Sequence, residues 1–166
     1  MILRLSLDLP EDGSYVRIAR LLGRALLDAL KVTEDDVADA EVLIGELCTN
    51  VIRHARDHDG RFQVVLEFLA DRLLLTVIDT GVSFAFKDVP PAGTARPDTI
   101  GGGERIGGFG LGLIQALADR LTFHRTDPQG TTVRAEVMLH YQDADAAGEA
   151  ARLDEQDQAE IRAETG

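Results

Sequence analysis

Cysteine is almost missing from this chain of 166 residues: Cys48 stands alone, which excludes an internal disulfide framework and any cysteine-rich zinc module. Long apolar runs are missing too. No uninterrupted stretch approaches the roughly 18 residues that a membrane-spanning helix needs, so a soluble chain with no place in a membrane is expected. The opening MILRLSLDLP has neither the basic region nor the apolar core of a signal peptide, which points to the cytoplasm. Positive charge is scarce as well. Seventeen Lys and Arg against 29 Asp and Glu leave a net charge of -12, which argues against direct nucleic-acid binding, because phosphate backbones are held by clusters of Lys and Arg. A basic protein partner is compatible with that balance.

The apolar content of 45% is enough for one packed domain. Residues 143–166 carry eight acidic residues and two arginines, half of the net charge, with scarcely any large apolar residue. The chain is therefore expected to divide into a domain over 1–142 and an acidic tail over 143–166 that is a frayed helix or disordered.

Ile2, Leu3, Leu5, Leu7 and Leu9 nearly satisfy the period of two of a half-buried strand, which Pro10 ends. From Ser14 to Leu30, Val16, Ala19, Leu22, Leu26 and Leu30 recur at three and four and predict a helix with one buried stripe, Arg17, Arg20 and Arg24 facing elsewhere. Thr33 is a plausible N-cap, followed by Glu34, Asp35 and Asp36, which complement the positive end of a helix dipole. In that second helix Val37, Ala40, Ile44, Leu47 and Val51 form the apolar set, while Glu46, Asn50 and His54 lie four apart in another row. Residues 62–69 and 73–78 read as a hairpin, 82–107 as a long loop rich in Pro and Gly, and 111–118 as a short helix. A final hairpin, 121–126 and 132–139, flanks Asp127-Pro128-Gln129-Gly130. That order predicts an α+β fold with a mixed, mostly antiparallel sheet covered on one face by helices.

Three segments carry chemistry. Glu46 and Asn50 can converge a carboxylate and an amide oxygen on one small volume, as magnesium with bridging phosphates prefers; alone, the pair reads rather as a solvated polar stripe. Asp79 ends the strand LLLTVI, where a buried charge needs a hydrogen-bond donor such as an adenine amino group, and Gly81 lets the backbone pass close to a flat base. Asp79-Thr80-Gly81 alone reads rather as a chain turn. Gly107, Gly108, Gly110 and Gly112 precede or open a helix, whose free amides and positive dipole attract phosphate.

Together, in order, these segments resemble the N, G1 and G2 boxes of the GHKL ATPase superfamily, built on the Bergerat fold, a two-layer sandwich. ELCTNVIRHA resembles the N box, DTGVSF the G1 box and GGFGLGL the G2 box. Gly130-Thr131-Thr132-Val133 resembles the threonine-bearing turn that completes the adenine pocket. The likeness covers about residues 1–140. With only one strand and one helix before Glu46, the chain is similar to the stand-alone anti-sigma-factor serine/threonine-protein kinases rather than to sensor histidine kinases.

The resemblance implies ATP and Mg2+ as cofactors, with Glu46 as general base toward the substrate hydroxyl and Asn50 as the magnesium ligand. Asp79 would bind the adenine amine, helped by Gly81 and Thr132. Gly108, Gly110, Leu111 and Gly112 would line the phosphates, with Arg105 a helper at the lid. It further implies a sigma factor as one partner and an anti-anti-sigma protein of the STAS type as substrate, hence a role in transcription regulation, and allows a homodimer through the sheet region. A nucleotide-responsive binding module without kinase activity would keep the same motif residues. His54 falls at the N-box histidine position, and Cys48 reads as a small buried side chain.

Overall fold

The computed structural model describes residues 2–54, 60–79, 110–125 and 130–164. In chain order these form β1 (Leu3–Pro10), α1 (Gly13–Ala29), α2 (Glu34–His54), β2 (Arg61–Phe68), β3 (Arg72–Asp79), α3 (Gly110–Leu117), β4 (Arg120–Arg125), β5 (Thr131–Met138) and α4 (Ala144–Glu164). The loop expected over 82–107 and the turn at 127–129 lie outside the described residues.

The strands build one five-stranded sheet in the order β1-β2-β3-β5-β4. Every neighbouring pair is antiparallel. This is the α+β arrangement that the periodicities predict. Strand alternation does the sorting: Leu73, Leu75, Val77 and Asp79 of β3 are buried between half-buried neighbours, and Thr131, Val133, Ala135 and Val137 repeat the pattern on β5. The apolar ones among them join Phe62, Val64, Leu66 and Phe68 of β2 and the inner stripes of α1 and α2 in a single core. Phe68, Leu43, Ile44 and Leu75 are wholly buried there.

Helices α1 and α2 lie close because Gly23 has no side chain; a Cβ on it would stand 2.5 Å from Ile44 Cδ1. Two of the arginines of α1, Arg20 and Arg24, which face away from the buried stripe, reach across to α2. Arg24 donates to Glu41 at 2.8 Å and to Glu34 at 2.6 Å, and Arg20 approaches Glu41 at 3.6 Å. Hydrogen bonds to Glu34 and then Glu41 raise the pKa of Arg24 further above its ordinary value. Asp12 caps α1, accepting from Ser14 Oγ at 2.6 Å and from the Ser14 amide at 2.7 Å, which holds its carboxyl below the usual range.

The α1–α2 connection is pinned from far along the chain. Lys31 sits at φ 57, and its carbonyl accepts from the Gln142 amide at 2.9 Å while Gln142 Nε2 donates to Val32 at 3.0 Å. The acidic segment beyond it forms helix α4, where composition left a frayed helix or disorder. Asp143 accepts from the Ala146 amide at 2.7 Å at its start, and Ala146 and Ala150 are buried. The abundance of Ala, Glu and Gln favours that helix intrinsically. Among the described residues no helix is long and apolar enough to cross a membrane.

Candidate functional site

Helix α2 is the element that organises the site. It packs on α1 through one stripe and also on β3, β5 and α3. Leu43, Ile44, Leu47, Cys48 and Val51 take the buried positions, so Glu46 and Asn50, one turn apart, fall beside the core stripe and are half-buried. Neither side chain is hydrogen-bonded or ion-paired to another described residue. A half-buried carboxylate and amide without partners among the described residues have donor and acceptor capacity to spare for a ligand. Burial pushes the Cys48 thiol up to about 12, in keeping with a packing role.

Asp79 is the last residue of β3 and only 5% exposed. The sheet register sets Asp79 between Phe62 on β2 and Thr131 on β5. All three residues belong to the buried face, so a carboxylate and a hydroxyl stand side by side at the end of an otherwise apolar wall. Directly opposite residues of adjacent strands have Cβ atoms about 5 Å apart, which brings the Thr131 hydroxyl within reach of whatever Asp79 holds.

That register places the two threonines of the turn on opposite faces of the sheet. Thr132 pairs with Ile78 and His124, and alternation turns all three to the face away from the core helices. Thr131, 6% exposed, is the hydroxyl on the Asp79 face. The signal was present in the sequence, since Thr131 is in phase with Val133, Ala135 and Val137. Gly130, buried at φ 133, makes the entry to β5 in a conformation that side chains rarely adopt.

Gly110 and Leu111 open α3, whose Ile114 anchors it in the core. Gly112 is exposed, with no atom of another described residue within 4 Å of the place a Cβ would take, so packing among the described residues does not demand glycine there; room for an approaching ligand is what its absence of side chain leaves. Gly81, Arg105 and Gly108 lie outside the described residues, as does the side chain of His54. His124 is exposed on the far face, and His140 pairs with Asp36 at 3.1 Å, away from the motif residues in the chain.

Among the described residues no three of His, Cys, Asp and Glu gather as a metal-holding group. Asn50, beside the Glu46 carboxylate, fits magnesium in another way, as one oxygen ligand to an ion that keeps several waters and takes its other ligands from phosphates.

The histidine kinase-like ATPase domain pattern matches residues 9–137. The serine-protein kinase RsbW of Bacillus cereus (strain Q1) is 32% identical over 123 residues, covering 70% of this chain and 74% of that protein. The serine-protein kinase RsbW of Halalkalibacterium halodurans is 31% identical over 121 residues, covering 70% and 73%. Among solved structures, the crystal structure of the RsbU and RsbW domains of a Mycobacterium tuberculosis protein superposes with a TM-score of 0.59 at 20% identity. That match covers 82% of this chain and 32% of the longer one, and it speaks for the fold. With the ordered boxes, the antiparallel sheet under its helices and the match over 9–137, the chain belongs to the histidine kinase-like ATPase family.

Proposed function

We propose that this protein is a cytoplasmic, ATP-dependent serine/threonine-protein kinase and anti-sigma factor, which sequesters a sigma factor and phosphorylates an anti-anti-sigma protein of the STAS type. The observation that carries the reading is the pair on α2: a half-buried Glu46 carboxylate one turn before Asn50, neither engaged by another described residue. The names of the relatives, serine-protein kinases, support it.

In this reading Asp79 accepts a hydrogen bond from the adenine amine, with Thr131 beside it, and the first turn of α3 offers its free amides to the phosphates. Asn50 would hold magnesium, which supplies charge neutralisation on the phosphates when bound. Glu46 takes the proton of the substrate hydroxyl as that oxygen forms its bond to the γ-phosphorus; the bond from phosphorus to the bridging oxygen breaks, and ADP leaves with the electron pair. Phosphoryl transfer relies chiefly on positioning and electrostatics, so one base, one metal ligand and a phosphate cradle are a sufficient set.

Glu46→Gln tests the role of the base. It keeps the shape and removes the proton acceptor, so transfer of labelled phosphate to the partner is expected to fall about 10²- to 10⁴-fold while ATP binding is retained. Unchanged transfer would remove Glu46 from the mechanism. A wild-type protein that binds ATP and its partners yet transfers no label would instead be a nucleotide-responsive binding module.

A further inference from the structure

Gly23 in α1 and Gly45 in α2 each stand inside a helix, where glycine is unfavourable relative to alanine. The close approach of Ile44 accounts for Gly23. At Gly45 the three atoms nearest to the place of a Cβ all belong to Arg20, with Cδ at 3.2 Å, Nε at 3.7 Å and Cγ at 4.0 Å. The bare backbone of α2 is therefore a seat on which the stem of Arg20 lies, one residue before Glu46.

The charge that this stem carries is loosely engaged. The Arg20 guanidinium approaches Glu41 at 3.6 Å, beyond hydrogen-bond distance, and has no other hydrogen bond or ion pair with a described residue; its side chain is 47% exposed. Glu41 already accepts a hydrogen bond from Arg24 at 2.8 Å, so it does not depend on Arg20. An exposed pair at such a distance is held weakly, and a carboxylate that met the guanidinium fork with two parallel hydrogen bonds would displace it.

Helix geometry sets that guanidinium relative to the chemistry. At 3.6 residues per turn, Glu46 follows Gly45 by about 100° around α2, and Asn50 follows Glu46 by about 40° in the same direction. Glu46 thus lies between Asn50 and the seat of Arg20. Asn50 marks the side of magnesium and the phosphates, so the group that carries the acceptor hydroxyl comes from the other side, where Arg20 is, if attacking and leaving oxygens are to stand in line. Val42 and Thr49, both half-buried and uncharged, complete the α2 surface around Gly45 and Glu46, and with Gly45 they keep it low.

We propose that Arg20 is a substrate-specificity residue: it binds an acidic side chain of the protein substrate beside the acceptor hydroxyl and so sets that hydroxyl against Glu46, an assignment that rests on the kinase reading above. In a chain of net charge -12 one guanidinium adds little attraction at long range. What it adds is register at contact, which the planar fork supplies. Arg20 touches the protein substrate and not the reacting atoms, so its effect falls on the binding of that protein and not on ATP.

Steady-state transfer of labelled phosphate from ATP, by the full chain to the STAS-type protein that it labels, tests this. Arg20→Ala is expected to raise KM for that protein about tenfold or more, with kcat and the Kd for ATP each within about twofold of wild type. Arg20→Lys should recover part of the loss, since lysine keeps the charge without the fork. Arg20→Glu should bind worse than Arg20→Ala, and among partner variants in which each Asp and Glu near the acceptor residue is changed to Arg, one should restore KM with Arg20→Glu. A merely structural role would not produce that exchange. An unchanged KM in Arg20→Ala, a Kd for ATP that rises in step with KM, or a scan without rescue would each overturn the inference, and with wild type still transferring label the kinase reading would stand. A wild type that transfers no label overturns both. Arg20→Gln, which keeps most of the stem on Gly45, decides the matter should Arg20→Ala fail to fold.

Discussion

Thr131→Val and Thr132→Val differ by one position and by the face of the sheet, and they are expected to differ in nucleotide affinity. Thr131 pairs directly with Asp79 on the buried face; Thr132 pairs with Ile78 on the other. Valine keeps the shape of threonine and removes the hydroxyl, so Thr131→Val costs one hydrogen bond at the base. A typical net value of about 0.5–1.5 kcal/mol corresponds to about a 2- to 13-fold rise in the Kd for ATP. Asp79→Asn removes a charge-assisted acceptor, about 1.5–3 kcal/mol, or roughly 13- to 160-fold. Because the two side chains share one ligand, the double variant should lose less than the sum of the singles, whereas Asp79→Asn with Thr132→Val should be additive. Titration calorimetry with a non-hydrolysable ATP analogue measures all five variants against wild type. If Thr132→Val weakens binding as much as Thr131→Val, the assignment by register is wrong.

Other expected outcomes follow from particular residues. Phe68→Ala opens a cavity at a wholly buried position and should destabilise the fold by about 3–5 kcal/mol, read by chemical denaturation. Lys31→Gly relieves a left-handed backbone conformation at φ 57 and should raise stability by up to about 1 kcal/mol; a loss would mean that the Lys31 side chain matters more than its backbone. Cys48, its thiol pushed from 9.0 to about 12 by burial, should resist a thiol reagent at neutral pH until the protein unfolds. The folded state keeps that proton longer than the unfolded one, so Cys48 contributes stability that is complete below about pH 9 and is lost as pH rises toward 12; Cys48→Ala should flatten the alkaline limb of the stability profile.

Much of the fold was legible because its signals are local. The strand and helix periodicities, the acidic first turn of α2 and the short connection at Ala70-Asp71 are each properties of a few consecutive residues, and each element formed near its expected bounds. The candidate site was legible in the same way at Glu46, Asn50 and Asp79, where a box lies on one element. The partners of Arg24, Glu34 and Glu41, were not legible because they lie on the next helix, and periodicity says which way a side chain points without saying what it meets there. The acidic segment past residue 142 reads as solvated on composition; the small residues Ala146 and Ala150 nevertheless give α4 a buried side.

From the sequence alone came the elements, the order of the boxes and the type of each functional group, since side-chain chemistry and helical or strand period travel with the chain. The tertiary structure decided which groups stand together. β3 and β5 are separated in sequence by α3 and β4 but are neighbours in the sheet, and only their register makes Thr131, not Thr132, the companion of Asp79. It also decided that one stripe of α1 is buried while a second, equally apolar along its length, faces out. Burial is a property of what packs against a surface, and that lies elsewhere in the chain.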